Sequence, residues 1–187
     1  MQKGLLIVIS GPSGVGKGTI RDLFVNDPEL NLAYSISMTT RKPRSNERNG
    51  VDYFFVSEDE FLTAIANDEL LEYAKFVGNY YGTPRAYVDK LRDDGKNVLL
   101  EIEVQGAQQV VEKCPEALSI FIIPPSLQEL EQRIRSRKSE SEEVIQERLQ
   151  KAIKEMDLIS QYKYVVCNED AKLASDLISI IIKRHIN

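Results

Sequence analysis

The 187-residue chain carries 24 Lys and Arg residues against 29 Asp and Glu residues, which gives a formal net charge of −5. This length suits one domain with a buried core, and the acidic balance argues against a general nucleic-acid binder, which is basic overall. Cys114 and Cys167 form no CxxC pair, so we expect two free thiols and a cytoplasmic location. No apolar run reaches the roughly 18–20 residues that span a membrane, so we expect no membrane partner. The single His185 disfavours acid–base catalysis by histidine.

The first predicted element is a buried strand, the apolar run at 5–9, and helical spacing follows up to residue 24. Between them lies a glycine-rich stretch, Gly11-Pro12-Ser13-Gly14-Val15-Gly16-Lys17-Gly18-Thr19. In this context the pattern G-x-x-x-x-G-K predicts a phosphate loop, because backbone N–H groups and a helix N-terminus attract anions. Lys17 would add a full charge near the outer phosphates of a nucleoside triphosphate. Gly18 stands where the pattern has a hydroxyl residue for Mg²⁺, and Thr19 comes one position later, so the metal contact stays open.

The stretch from 33 to 83 is predicted to be largely antiparallel β hairpins and loops. Alternating patterns predict strands at 33–37, 52–56 and 70–77, and Gly78-Asn79 predicts a turn before further strand. The polar segment 38–45 is predicted as a loop. Its Arg41 and Arg44 are candidate phosphate ligands, because guanidinium forks match phosphate oxygens, or they are solvated surface residues. A Ser-x-x-Glu capping box at 57–60 predicts a helix.

The remainder of the chain alternates buried strands with helices. Strands are predicted at 97–103, 118–123 and 164–167, and helices at 84–91, 107–113, 126–137 and 139–156. A final helix is predicted to carry its apolar face on Leu173, Leu177, Ile180 and Ile181. This alternation predicts an α/β fold of three layers, with a parallel central sheet covered on both faces.

Candidate chemistry follows from residues at the predicted strand ends, where such folds bind ligands. Glu101 and Glu103 end one strand, on the same side of it, and Asn168 follows another. A carboxylate at this place orders Mg²⁺ directly or through water in phosphate-loop folds, although Glu101 could also simply cap the strand. Four arginines on the next predicted helices could stabilise a transferring phosphate or pair with nearby glutamates: Arg133, Arg135, Arg137 and Arg148.

The chain resembles the guanylate kinases over its whole length. The motifs that carry the resemblance are Gly11 to Lys17, Ser37-Met38-Thr39-Thr40-Arg41-Lys42-Pro43-Arg44, Gly50-Val51-Asp52-Tyr53, Glu72-Tyr73-Ala74, Gly78-Asn79-Tyr80-Tyr81-Gly82-Thr83-Pro84, Gln105-Gly106-Ala107 and Phe121-Ile122-Ile123-Pro124-Pro125-Ser126. The resemblance implies transfer of the ATP γ-phosphoryl group to GMP, and to dGMP, with Mg²⁺. It also implies a core (1–32, 84–126 and 158–187), a GMP-binding region (33–83) and a mobile helical lid (127–157).

The resemblance further assigns roles to individual residues. The GMP-binding residues would be Ser37, Arg41, Arg44, Tyr53, Glu72, Tyr81, Thr83 and Glu103. The ATP-binding residues would be those from Gly11 to Thr19 together with Arg133 and Asn168. The catalytic residues would be Lys17, Arg41, Arg137 and Arg148, and Mg²⁺ would be held through Thr19, Glu101 or water. Two positions depart from the family pattern, since Glu103 replaces an Asp and Lys138 replaces a Gly.

Two alternative functions remain open at this point. Guanylate-kinase-like domains of scaffold proteins bind protein ligands without catalysis, but they typically lack an intact phosphate loop. A kinase for another nucleoside monophosphate is the second alternative. Guanine is favoured because a carboxylate such as Glu72 can accept hydrogen bonds from both N1–H and the N2 amino group, a donor pair that adenine lacks.

Overall fold

The computed structural model describes residues 3–76, 78–136 and 141–186. The strands in these ranges are β1 (Leu6–Ser10), β2 (Leu32–Tyr34), β3 (Met38–Thr39), β4 (Phe54–Phe55), β5 (Leu70–Phe76), β6 (Asn79–Pro84), β7 (Asn97–Glu101), β8 (Leu118–Ile123) and β9 (Tyr164–Cys167). The α-helices are α1 (Lys17–Phe24), α2 (Glu58–Ala66), α3 (Arg85–Asp93), α4 (Val104–Lys113), α5 (Leu127–Arg135), α6 (Glu142–Met156) and α7 (Ala171–Ile186).

A five-stranded parallel sheet with the order β2-β7-β1-β8-β9 forms the centre of the molecule. Successive side chains of β1 point to opposite faces and are all buried, as expected for a sheet that is covered on both sides. On one face, Ile7 and Ile9 pack in a core cluster with residues of α1 and α7. On the other face, Leu6 and Val8 pack with residues of α3 and α4. The predicted three-layer α/β fold with a parallel central sheet is confirmed.

A second, four-stranded sheet has the order β4-β3-β6-β5. Its β3–β6 and β5–β6 pairs are antiparallel, and the turn before β6 is made by Gly78 with φ +77°. The helix α2 packs on this sheet through Phe61, whose ring stacks on Tyr80 at 5.3 Å between centroids. The predicted capping box of α2 is confirmed, since Ser57 and Glu60 exchange both of its hydrogen bonds.

The pairing of the strands differs from the prediction in two places. The predicted strand at 33–37 is β2, which ends at Tyr34 and pairs with β7 in the central sheet, so it is no part of an antiparallel hairpin. Met38 and Thr39, predicted as loop, form β3 and pair in parallel with β4. Local alternation predicts a strand but not its partner, which explains the first error. The second has a different cause, because β3 is two residues long and too short to show an alternating pattern.

Two boundaries near the strand ends also differ. β7 ends at Glu101, and Glu103 is the N-cap of α4, which begins three residues earlier than predicted. Glu101 and Glu103 therefore do not lie on the same side of one strand, because the chain turns into a helix between them. The helix α6 begins after Ser141 as its N-cap, whereas the predicted cap Ser139 lies outside the described residues.

The C-terminal helix α7 buries a different face from the predicted one. Ala174, Ile178, Ile181 and Ile182 fill the core, while Leu173, Leu177 and Ile180 are exposed. Of the four residues predicted to be buried, only Ile181 is. Two apolar stripes run along this helix, and spacing alone cannot tell which of them meets the sheet. In the described ranges, none of the helices combines the length and the apolar character needed to cross a bilayer.

Candidate active site

A glycine-rich loop connects β1 to α1 at the carboxyl end of the central sheet. Gly14 and Gly16 have φ values of +88° and +96°, a region of backbone conformation that favours glycine. A Cβ atom on Gly16 would also lie 2.6 Å from Nδ2 of Asn168, so the loop and β9 approach too closely for a side chain. Gly16 is the N-cap of α1 and has no side chain that could accept a hydrogen bond from the first helical N–H groups. The helix N-terminus is therefore open to an anion.

The ammonium group of Lys17 is folded back onto this loop. Its Nζ donates hydrogen bonds to the carbonyl oxygens of Gly11 at 2.6 Å and Pro12 at 3.2 Å. Burial lowers the pKa of Lys17, while the carboxylates of Glu101 and Glu155 act against that shift. The lysine is therefore a largely desolvated cation beside the anion-binding end of α1, where its attraction to a phosphate is strong.

A cavity of about 230 Å³ opens next to the phosphate loop. It is lined by Gly11, Ser13, Lys17, Glu101, Ile102, Glu103, Lys151 and Glu155. Lys151 of α6 lies with its Nζ 2.9 Å from Glu103 and 3.6 Å from Glu155. Burial raises the pKa of Glu155. The cavity lining thus places two lysines beside three glutamates.

Glu101 is held in place by an arginine of α1. Nη1 of Arg21 lies 2.7 Å from Oε2 of Glu101, and the guanidinium also stacks over the ring of Tyr34 at 5.1 Å. The other carboxylate oxygen, Oε1, would lie 3.8 Å from a Cβ atom on Gly18. Thr19 is exposed to solvent. Gly18, the position where the phosphate-loop pattern has a hydroxyl residue, therefore lies close to Oε1 of Glu101.

Two arginines from α5 and α6 reach the phosphate loop. Nη2 of Arg148 donates a hydrogen bond to Oγ of Ser13 at 2.7 Å. Arg133 donates to the carbonyl oxygen of Val15 at 3.4 Å and to that of Asn168 at 3.1 Å, and its Nε contacts Glu129. Long-range contacts of this kind bring residues more than a hundred positions apart in the sequence to one loop. Of the other predicted arginines, Arg135 pairs with Glu131 and Glu142 instead, and Arg137 lies outside the described residues.

Asn168 follows β9 and is buried against the same loop. Its Nδ2 donates to the carbonyl oxygen of Val15 at 2.7 Å, and its backbone N–H donates to Ile123 at 2.8 Å. The side chain thus ties the end of β9 to the phosphate loop.

A second cluster of charged and aromatic side chains lies on the four-stranded sheet. The guanidinium of Arg41 pairs with Glu47 at 2.8 Å and lies over the rings of Tyr53 and Phe55 at 5.5 and 5.9 Å. Glu47, and then the hydroxyl of Tyr81, raise the pKa of Arg41. The aromatic contacts orient the guanidinium and leave part of it exposed.

The partner Glu47 was not predicted from the sequence. One of its oxygens contacts Arg41, and the other accepts a hydrogen bond from the backbone N–H of Arg44 at 2.8 Å. These contacts hold the pKa of Glu47 below its ordinary value, with Arg41 as the main cause. The side chain of Arg44 itself is exposed. The signal in the sequence that could have identified Glu47 is its place in the same polar loop, six residues after Arg41.

Glu72 of β5 is a buried carboxyl group. Oγ1 of Thr83 donates a hydrogen bond to its Oε1 at 2.5 Å. Burial raises the pKa of Glu72 to about 7, although the Thr83 hydrogen bond acts in the opposite direction. The other oxygen, Oε2, lies against Gly106 of α4, only 2.5 Å from where a Cβ atom would be. A buried carboxyl group with one oxygen unengaged by Thr83 is suited to accept hydrogen bonds from a ligand.

A second cavity, of about 350 Å³, contains this carboxyl group. Its lining includes five of the residues predicted to bind GMP, namely Ser37, Tyr53, Glu72, Tyr81 and Glu103. It shares a wall with the cavity at the phosphate loop, made of Glu101, Ile102, Glu103 and Lys151. Lys151 was not predicted, and its spacing from Arg148 on one helix face was the only signal for it.

Comparison with known proteins gives the chain its family. A family model described as guanylate kinase matches residues 3–184. A guanylate kinase of Mycoplasma capricolum subsp. capricolum is 58% identical over 170 residues, which are 91% of this chain and 57% of that protein. A guanylate kinase of Latilactobacillus sakei subsp. sakei is 52% identical over 181 residues, which are 97% of this chain and 89% of that protein.

A solved structure is similar as well. The crystal structure of guanylate kinase from Anaplasma phagocytophilum matches with a TM-score of 0.72 and 34% identity, and the match covers 99% of this chain and 87% of that one. The chain spans little more than half the length of the Mycoplasma relative. The family model nevertheless matches almost the whole of this chain, residues 3–184. The chain belongs to the guanylate kinase family.

Proposed function

We propose that the chain transfers the γ-phosphoryl group of ATP to GMP, giving ADP and GDP, and that dGMP is accepted in the same site. The observation that carries this proposal is the pair of adjoining cavities that share Glu101, Ile102, Glu103 and Lys151. One cavity lies at a phosphate loop and the other contains the buried Glu72. Two nucleotides bound there would meet with their phosphates at the shared wall.

In this proposal the phosphate loop and α1 bind the triphosphate of ATP. Backbone N–H groups of the loop, to which Pro12 contributes none, face the phosphates, and Lys17 exchanges its two loop carbonyl contacts for phosphate oxygens. Arg148 lies at Ser13 in the same loop, where it can neutralise charge that spreads over the transferring group. Arg133 and Asn168 shape the side of the loop towards the adenine, and the proposed role of Arg137 is the same as that of Arg148.

GMP would occupy the cavity of the four-stranded sheet. Glu72 accepts hydrogen bonds from N1–H and the N2 amino group of guanine, and Ser37 and Thr83 complete the polar surroundings. Arg41, Arg44, Tyr53 and Tyr81 bind the phosphate, and Arg41 is already oriented by its aromatic neighbours. Glu103 borders the guanine side, where its longer side chain is held by Lys151.

The chain's carboxylates fit Mg²⁺ bound together with ATP. No cluster of three or more acidic, His or Cys ligands lies among the described residues, and Mg²⁺ in such sites uses one or two carboxylates with phosphates and water. Glu101 would hold the ion through Oε1, directly or through water across the space above Gly18. When bound, the ion would neutralise part of the negative charge of the ATP phosphates.

The reaction then requires positioning more than covalent chemistry. An oxygen of the GMP phosphate attacks the γ-phosphorus in line, the bond to the ADP oxygen breaks, and Lys17 and the arginines stabilise the charge. We infer that 33–83 acts as the GMP-binding region and 127–157 as a lid that closes over the core, excluding water that would hydrolyse ATP. A cytoplasmic location and the lack of a nucleic-acid partner stay predictions.

A coupled assay that follows ADP formation tests the proposal. With GMP, dGMP, AMP and UMP as acceptors, we expect turnover with the two guanine nucleotides and a kcat/KM at least about 100-fold lower with the others. Preference for AMP or UMP would make the chain a kinase for another monophosphate. Turnover of none of the four would favour the protein-interaction module.

A further inference from the structure

Three large apolar side chains form an exposed stripe along α7. Leu173 is 70% exposed, Leu177 46% and Ile180 62%. Their spacing of four and three residues places them on one side of the helix, away from the residues that pack on the central sheet. Single exposed leucines are ordinary, but a contiguous apolar stripe on a helix marks an interaction surface.

Grooves lie on both sides of this stripe. One, of about 550 Å³, runs between the end of β9 and α7 and is lined mainly by apolar surface, including Leu173, Leu177 and Ile180. The other, of about 610 Å³, lies between α1 and α7, where Leu23 is exposed next to Ile180. A ridge of side chains flanked by grooves is the shape that packs against another helix of the same kind.

Two charged residues extend the stripe symmetrically. Asp170 lies seven residues before Leu177 and Arg184 lies seven residues after it, and both are exposed. The spacing through all five residues is three, four, three and four, which is the spacing of a helix–helix seam. Seven residues correspond to about two helical turns, or roughly 10.5 Å, in each direction from Leu177.

We propose that α7 forms a two-fold symmetric interface with a second copy of this chain. If the two helices lie antiparallel with Leu177 at the two-fold axis, Asp170 of each copy faces Arg184 of the partner subunit. A parallel arrangement would instead bring like charges together at both ends. The distribution of charge on the helix therefore favours self-association in one orientation, and an isologous two-fold interface has that orientation.

The flanking charges do not oppose this arrangement. Lys172 pairs with Asp176 on α7, and Lys183 pairs with Asp27 and Glu29 of its own copy. The seam between the two copies of α7 is then apolar at its centre and pairs opposite charges, Asp170 with Arg184 of the partner subunit, at its ends. Because the stripe contains three large apolar residues, we expect a weak dimer that dissociates on dilution. This inference does not depend on the proposed enzymatic activity.

Sedimentation of the chain over a concentration series tests the interface. We expect a monomer–dimer equilibrium, and Leu177→Glu should raise the dissociation constant at least about tenfold, since it places a charge from each copy at the axis. Leu62→Glu is the matched control, because Leu62 is 43% exposed on α2, away from α7. It should leave the dissociation constant unchanged.

A charge exchange tests the orientation. Arg184→Asp alone and Asp170→Arg alone should each weaken the dimer several-fold, because each creates like-charge contacts, and the double variant should recover most of the loss. The side chain of Asp170 accepts a hydrogen bond from the backbone N–H of Leu173 at the start of α7, and Asp170→Arg removes that bond. Circular dichroism is therefore recorded for each variant to confirm that the helix is intact. A chain that is monomeric at all concentrations, a dimer insensitive to Leu177→Glu, or a double variant weaker than both singles would overturn the proposal. A monomer would leave the stripe to a different partner.

Discussion

Oε2 of Glu72 lies 2.5 Å from the point where a Cβ atom on Gly106 would be. Gly106 belongs to α4, where its φ is ordinary, so the backbone does not require glycine at this position. The space is needed by the carboxyl group instead. The glycine of one helix and the carboxylate of a strand in the other sheet thus form one unit of the proposed guanine site.

We therefore expect Gly106→Ala to raise the KM for GMP about tenfold or more, which corresponds to at least about 1.4 kcal/mol, while the KM for ATP stays the same. Alanine is the better helix former, so α4 itself should not be weakened. Steady-state kinetics with each substrate varied in turn measure the effect.

A double-variant cycle serves as the control for that experiment. If Gly106 acts through Glu72, then Gly106→Ala combined with Glu72→Gln should lose no more GMP affinity than Glu72→Gln alone. Losses that simply add would show that Gly106 acts by another route.

The pKa of Glu72, about 7, makes GMP binding depend on pH. The ionised carboxylate is the form that accepts two hydrogen bonds from guanine, so affinity should fall about tenfold per unit as the pH drops below 7 and level off above it. Calorimetric titration of GMP between pH 5.5 and 8.5, values chosen around that pKa of about 7, measures the profile. Glu72→Gln should bind GMP weakly at every pH and remove this dependence, leaving only the titration of the GMP phosphate.

The same pKa shift predicts an effect of the opposite sign on stability. The pKa of Glu72 rises from 4.5 to about 7 on folding, so the native state binds more protons than the unfolded state between these values. The free energy of unfolding should therefore decrease as the pH rises from 4.5 to 7, by up to about 3 kcal/mol from this group. Urea unfolding at pH 8 should show Glu72→Gln to be more stable than the parent chain. Equal stability of the two would mean that the burial of Glu72 costs nothing.

The parts of this molecule that follow from short stretches of sequence were predictable. The strands β7 and β8 are buried apolar runs, and β9 is a short apolar run of which only Val166 is buried. Turn signals or helices separate these runs, and the phosphate loop is a contiguous motif. The spacing in Ser57-x-x-Glu60 predicted a helix start because both partners lie within one turn.

The parts that depend on distant partners were not predictable. The strand β2 reads like its neighbours in sequence, but it pairs with β7 more than sixty residues away. The exposed stripe of α7 is as apolar as the buried one, and only the position of the sheet distinguishes them. Lys151 enters the candidate site through a tertiary contact with Glu103, 48 residues earlier in the chain, and its spacing from Arg148 does not reveal that partner.

Arg148 offers a test of the phosphate-loop half of the site. Its guanidinium lies at Ser13, so Arg148→Met should lower kcat about 100-fold or more, because charge on the transferring group would lose a partner. Stopped-flow or steady-state ADP release measures kcat. Arg135→Met is the matched control, since Arg135 pairs with Glu131 and Glu142 outside both cavities. A comparable loss in the control would point to a general disturbance of α5 and α6.

Gly18 offers a test of how the metal is held. A Cβ atom here would lie 3.8 Å from Oε1 of Glu101 and 3.8 Å from Nη2 of Arg21, so a small side chain fits without displacement. Gly18→Ser would add the hydroxyl beside the carboxylate, and we expect the Mg²⁺ concentration for half-maximal ATP binding to fall several-fold. Gly18→Ala has nearly the same size but no hydroxyl, so it should leave that concentration unchanged. Fluorescence titration of a labelled ATP analogue against Mg²⁺ measures this without turnover. A similar shift for both variants would mean that the effect comes from the helix N-terminus and not from a new metal ligand.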